Sequence, residues 1–242
     1  MITPGLVSVS FRKLSPAEII ALVKQAGLAG IEWGGDIHVP HGDVARAKEV
    51  RQQTQDAGLR ALAYGSYYRV SGDKPFEPVL DCAVALGVPV IRVWAGSVGS
   101  AQATPAQRAA VIADSNRIAD CAAQAGIRVA YEFHNGTLTD TDESAQQLLR
   151  EVPHPNLLTL WQPRPERAVA DNLASLRGVL PRLAHVHVYH WTTERRPLAE
   201  GIENWRQYFQ LLQCAALLEF VVNDDPQNFL RDAATLLSAI PK

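Results

Sequence analysis

The chain has 242 residues, 47% of them hydrophobic and 20% charged, with a net charge of -2 and a pI of about 6.4. That length suits one large α/β domain over residues 1–242, and the composition excludes a disordered polymer. No basic run marks a nucleic-acid surface, and no apolar stretch reaches the roughly 18–20 residues of a membrane span. The opening MITPGLVSVSFRKLSP lacks the basic-then-apolar pattern of a secretory leader, so a cytoplasmic location is expected. Cys82, Cys121 and Cys214 form no Cys-x-x-Cys pair. They read as small buried apolar residues in a reducing compartment.

In chain order, helix-stop glycines each precede an apolar run. Gly27, Gly58, Gly87 and Gly126 follow Ala or Leu at the ends of amphipathic stretches. The runs predict eight buried parallel strands: 6–10, 30–33, 59–64, 90–94, 128–133, 157–161, 183–188 and 217–222. Helix starts are marked between them. Ser15-Pro16-Ala17-Glu18 is a capping box with proline at the first helical position, and Thr104-Pro105-Ala106-Gln107 repeats it. Asp43 and Thr141 are suited to cap the second and fifth helices. Later helices are expected over 168–180, 202–213 and 226–239. The longest distinctive loop spans 190–204, after strand seven. Eight βα units of about 30 residues predict a single (β/α)₈ barrel with short loops. No Gly-x-Gly-x-x-Gly follows the first strand, which removes support from an open dinucleotide-binding sheet.

Four polar residues sit at the ends of the last four strands: Glu132, Gln162, His187 and Glu219. Their gaps of 30, 25 and 32 residues are each one βα unit. Strand alternation lets each be the last inward residue of its strand, so the four converge on one mouth. Two carboxylates, an imidazole and an amide oxygen suit a divalent metal. An acid after an apolar run is costly unless paired or metal-bound, which singles out Glu132 and Glu219. Glu32 closes strand two, Arg92 and Trp94 share a face of strand four, and His134 shares a face with Glu132. Trp161, together with Tyr67, Tyr68 and Trp191, adds aromatic surface. His190 and the Arg195-Arg196 pair lie after strand seven. Aromatic faces with scattered polar groups suit a sugar-like ligand. The substrate-binding set expected is therefore Glu32, Arg92, Trp94, His134, Trp161, His190 and Arg196.

Several of these stretches carry a resemblance. Gly30-Ile31-Glu32, Ile91-Arg92-Val93-Trp94-Ala95-Gly96, Tyr131-Glu132-Phe133-His134-Asn135-Gly136, His185-Val186-His187-Val188 and Leu218-Glu219-Phe220 are similar to the xylose isomerase-like barrel superfamily. That group holds sugar epimerases and isomerases, dehydratases, hydroxypyruvate isomerases and the endonuclease IV class. The resemblance implies one divalent ion (Mn, Mg, Co or Zn) held by Glu132, the position of Gln162, His187 and Glu219. The family usually has Asp at position 162, often a histidine shortly after it, and lysine at position 189. Here Gln162, Arg164 and Tyr189 stand there. The expected activity is a metal-dependent sugar or sugar phosphate isomerase or epimerase. Proton transfer through an enediolate would run between Glu132 and Glu219. The alternatives are dehydration of a cyclic polyol on the same metal site, or a sugar-binding barrel without catalysis. The expected partner is a small sugar-like molecule, with no nucleic acid and no membrane, and with room for a homodimer.

Overall fold

The computed structural model describes residues 1–241. Eight parallel strands close into a barrel: Thr3–Val7, Gly30–Gly34, Arg60–Arg69, Val90–Trp94, Arg128–Tyr131, Leu157–Trp161, Leu183–Val188 and Ala215–Leu218. Each pairs in parallel with its sequence neighbours, and the first pairs with the last through Leu6 opposite Leu218. Helices Pro16–Gln25, Val44–Asp56, Glu77–Leu86, Pro105–Gln124, Asp142–Glu151, Val169–Val179, Leu198–Phe209 and Pro226–Ala239 alternate with the strands. None is long and apolar enough to cross a membrane.

The local signals do what their chemistry demands. Both capping boxes form: Ser15 with Glu18, and Thr104 with Gln107. Asp43 and Thr141 accept from the backbone N–H groups of Arg46 and Ser144. Such a cap contributes about 1 kcal/mol, because it satisfies a donor left over at the helix start. Gly27, Gly58, Gly87 and Gly126 have φ between 69° and 78°, where a Cβ is strained.

Outward strand residues pack against the helices, among them Ile31, Trp33, Val186, Ala216 and Leu218. Inside the barrel a small separate layer is formed by Ala63, Val90, Ala130 and Leu158. These plug the bottom. On strands four and five the inward residues one step higher are charged, Arg92 and Glu132, and this alternation places the site at the C-terminal mouth.

Three strands end earlier than hydropathy suggests. Strand one stops at Val7 and turns into a 3₁₀ segment, Ser8–Phe11. The Ser8 hydroxyl there accepts from Gly34 N–H at 2.9 Å and bonds His38 Nδ1 at 2.9 Å. Strands five and eight stop one residue before Glu132 and Glu219. Helix seven begins at Leu198 rather than at 202, so the 190–204 loop shortens to a small antiparallel ribbon, His190–Trp191 against Arg195–Arg196.

Helix eight supports helix seven through Asp232, 7% exposed, which accepts from Leu198 N–H at 2.8 Å. Burial pushes this carboxyl up to about 6, against the pull of that hydrogen bond. A raised carboxyl pKa means the folded state binds the proton more tightly than the unfolded chain. Its contribution to stability therefore falls as pH rises from about 4 to about 6. Asp232→Asn keeps the acceptor and removes the charge. It should raise the melting temperature at pH 8 and change it little at pH 4, as paired thermal melts would show. An equal shift at both pH values would assign the effect to packing instead.

Candidate active site

Glu132 and Glu219 lie just past strands five and eight, yet both stay tied to the barrel. Glu132 N–H donates to Val93 O at 2.9 Å, and Glu219 N–H donates to Val188 O at 3.0 Å. His187 lies inside strand seven, opposite Leu217. Gln162 follows strand six, and its Nε2 donates to Phe133 O at 2.7 Å, which fixes the amide. Glu132, Gln162 and Glu219 share a cavity of about 280 Å³ with Arg92, Trp94 and His134. His187 is fully buried at its floor.

Below this cavity runs a chain of buried charge. Arg92, 2% exposed, donates through Nε to Glu32 Oε1 at 2.7 Å and through Nη1 to Glu132. The Trp94 indole N–H also donates to Glu132. Glu32 is fully buried, and its Oε2 lies 3.0 Å from His185 Nε2 and 3.2 Å from His187 Nε2. Gly65 makes the arrangement possible. A Cβ there would stand 2.7 Å from Glu32 Oε1 and against the Arg92 guanidinium.

The electrostatics follow from these contacts. Burial would raise the Glu32 carboxyl, but Arg92 and His187 outweigh it and hold the group well below the usual carboxylate range. Burial opposes the charge on Arg92, yet Glu132 and Glu32 push its pKa still higher. For His187, burial opposes protonation, while Glu219 and Glu32 push it up to about 10. His185 moves the other way: burial outweighs Glu32 and lowers it.

The cavity floor carries ligand-type atoms with no aligned hydrogen bond. His187 Nδ1 and Glu219 Oε2 form a charge pair at 3.0 Å that is not aligned as a hydrogen bond. Gln162 Oε1 is buried and unsatisfied. Glu132, His187 and Glu219 each place one ligand atom within 4.8 Å of the other two. Buried polar atoms without partners are rare and costly. Two carboxylate oxygens and an imidazole nitrogen around one point fit a divalent cation, and Gln162 lines the same cavity. Glu32, His185 and His187 form a second close trio. There Arg92 already neutralises the carboxylate, so the trio reads as support beneath the site.

The expected substrate-binding residues divide. Arg92, Trp94 and His134 line the cavity, with the Trp94 and His134 rings 4.3 Å apart. Glu32 lies under the floor instead of in the wall. Trp161 faces the opposite way from Gln162, as strand alternation requires. It is fully buried between barrel and helices, with its indole N–H on Ser175 Oγ at 3.1 Å. His190 lines a smaller neighbouring cavity with Trp191 and Trp205. Arg196 points away, paired with Glu194 and Glu200, whereas its neighbour Arg195 lines the main cavity.

The structure adds Arg12 and Phe220, which sequence reasoning did not select, and puts Tyr67, expected there as aromatic surface, in the cavity wall. Arg12, after strand one, lines the cavity, pairs with Asp36 and donates to the Tyr67 hydroxyl at 3.0 Å. Tyr67 and Phe220 both line it with left-handed φ values of 57° and 54°. Non-glycine residues rarely adopt that conformation, and it concentrates at ligand sites. The bulge in strand three between Gly65 and Tyr68 brings the Tyr67 ring 4.9 Å from the Arg92 guanidinium.

Comparison with known proteins agrees with the fold. The family model for the xylose isomerase-like TIM barrel matches residues 20–222. A 3-dehydroshikimate dehydratase of Bacillus anthracis is 28% identical over 245 residues, covering 85% of each chain. The crystal structure of the probable 3-DHS dehydratase of B. anthracis covers the whole of both chains at 23% identity, with a TM-score of 0.79. A D-allulose 3-epimerase from Methylomonas sp. superposes with a TM-score of 0.73 at 18% identity, covering 98% of this chain and 97% of the other.

Proposed function

The chain belongs to the xylose isomerase-like TIM barrel family, and from that premise we propose that it moves the proton beside the carbonyl of a small polyhydroxylated ketone, with one divalent metal ion as cofactor. The observation that carries this reading is the donor set at the floor. Glu219 Oε2 and His187 Nδ1 are buried as a charge pair without an aligned hydrogen bond, Glu132 places a ligand atom within 4.8 Å of both, and the unsatisfied Gln162 Oε1 belongs to the same cavity. Those four residues would hold the ion. When bound, the metal supplies Lewis acidity for the carbonyl and its adjacent hydroxyl.

The two glutamates are not equivalent. Glu219 Oε2 is paired with His187 Nδ1 by charge at 3.0 Å but held by no aligned hydrogen bond, so of the two carboxylates it is the less engaged and the one to take the carbon-bound proton. Glu132 is held by Arg92 and Trp94, which orient it and balance its charge. In a transfer to the opposite face Glu132 must start with a proton of its own and give it to the carbon, while Glu219 keeps the proton it took; in a transfer on one face Glu219 returns that proton itself. Trp94, His134 and Tyr67 line the cavity with aromatic surface against which the substrate's C–H groups pack and water is excluded. Delivery to the neighbouring carbon isomerises the sugar; delivery to the opposite face epimerises it.

The 28% identity to a dehydratase supports a second reading on the same site. Proton removal by Glu219 would then be followed by departure of a β-hydroxyl as water. Both outcomes share the first step. Incubation with Mn²⁺ and a panel of keto-polyols in D₂O should place deuterium on the α-carbon. Retained mass apart from the label assigns an isomerase or epimerase, and loss of one water assigns a dehydratase. No exchange with any member of the panel would overturn the proposal.

Gln162 offers a direct test of the ligand set. Gln162→Asp adds an anionic oxygen while giving up the hydrogen bond to Phe133 O. Charge dominates the affinity of hard cations, so Mn²⁺ should bind about tenfold more tightly by calorimetry. Equal or weaker affinity would place residue 162 outside the coordination shell.

A further inference from the structure

A second cavity of about 300 Å³ adjoins the first at the barrel mouth. The two share His134, Gln162 and Phe220 as common wall. Only the inner one holds Glu132 and Glu219, the pair able to exchange protons. The outer one is walled by Phe133, Tyr189, Trp191 and Phe220, with polar groups from Asn135, Arg164 and Glu166. Its chemistry is that of binding, not reaction.

The walls of the outer chamber are built. Phe220 stands edge-on to both Tyr189 and Trp191, at 5.1 and 5.0 Å between ring centres. Its left-handed backbone fixes that ring at the junction of the chambers. The Tyr189 hydroxyl is engaged by Pro163 O at 2.8 Å, which locks the ring. Arg164 lies over the Phe133 ring at 5.9 Å, and its Nη2 is buried without a partner. Each chamber is at the lower limit of ordinary ligand sites, which is room for one ring apiece.

We infer that the substrate has two rings: a reacting keto-sugar in the inner chamber, joined through a glycosidic oxygen to a second sugar ring in the outer chamber. This rests on the proposed proton-transfer function and deepens it to glycosides. Aromatic faces stack on the C–H surfaces of a pyranose, while Asn135, Arg164 and Glu166 meet its hydroxyls. The shared wall at Gln162 sets the glycosidic bond beside the ligand set, so the second ring fixes which carbon of the first faces Glu219.

Calorimetry on the metal-loaded protein with glucose, cellobiose, maltose, trehalose and 4-nitrophenyl β-glucoside reads binding without turnover. At least one disaccharide should bind ten times or more tightly than glucose. Trp191→Ala and Asn135→Trp, one opening and one blocking the outer chamber, should each erase that gain while leaving glucose affinity unchanged. Equal affinities for glucose and every disaccharide would overturn the inference, as would loss of glucose and disaccharide binding together in folded variants. A gain by the nitrophenyl glucoside alone would also overturn it, in favour of an aromatic substituent. Deuterium exchange with a free keto-sugar, alongside no disaccharide gain, would remove this inference and leave the proton-transfer function standing.

Discussion

Arg92→Leu is expected to cost about 3–5 kcal/mol of folding stability, the range for removing one partner of a buried ion pair. At this chain length that is a drop of roughly 10 °C in melting temperature. The reason is geometric. Arg92 is 2% exposed and neutralises both Glu32 and Glu132. Without it, two carboxylates remain in a low-dielectric interior, facing the Glu219 carboxylate across the floor. Adding Glu32→Gln to Arg92→Leu should recover part of the loss, since one uncompensated charge goes. Arg92→Lys should be intermediate, because an ammonium cannot span two carboxylates as the guanidinium fork does. Urea unfolding of the four proteins measures the series. A parent-like Arg92→Leu would show that the buried ion pairs do not hold the floor together.

Much of this architecture is legible in the chain because its signals are local. Proline and a Ser or Thr cap fix the helix starts, and positive-φ glycines fix their ends. Strands four, six and seven match their apolar runs residue for residue. The convergence of Glu132, His187 and Glu219 follows from strand spacing alone, once the barrel is closed. Strand eight is different. Phe220 and Val221 continue its apolar run, but Phe220 has φ 54°, and hydropathy carries no information about a left-handed turn at a phenylalanine.

The wall of the cavity was harder to read, because it depends on single-residue register. Trp161 and Gln162 are neighbours with opposite directions, and so are Arg195 and Arg196. Choosing the wrong member of either pair moves a residue from the cavity to the helix layer or to solvent. Glu32 has the chemistry of a binding residue, yet Arg92, 60 positions away, and the space at Gly65 draw it under the floor. Arg12 carries no local mark. It reaches the cavity because the 3₁₀ turn after strand one delivers it to Asp36 and Tyr67.

Glu219→Gln should abolish exchange of the substrate α-proton, with a fall of about 10²–10⁴ if it is the general base, while the barrel stays folded. Its Oε2 pairs with His187 Nδ1 by charge but accepts no aligned hydrogen bond, so the variant gives up that one pair. His187 keeps Glu32 as a partner and sheds its proton more readily, because Glu219 is the larger of the two influences that raise it. The metal-free melting temperature should therefore change by only a few degrees. Glu132→Gln should behave differently. It strips Arg92 of one of two carboxylates and weakens charge-assisted bonds from Arg92 and Trp94, at a cost of about 1.5–3 kcal/mol. Added Mn²⁺ should stabilise both variants less than the parent, since binding to the folded state supplies that stabilisation. Melting curves with and without Mn²⁺, together with deuterium exchange, separate the roles. An active Glu219→Gln enzyme that melts far below the parent would make Glu219 a structural partner of His187, and the proton would have to be taken by another group.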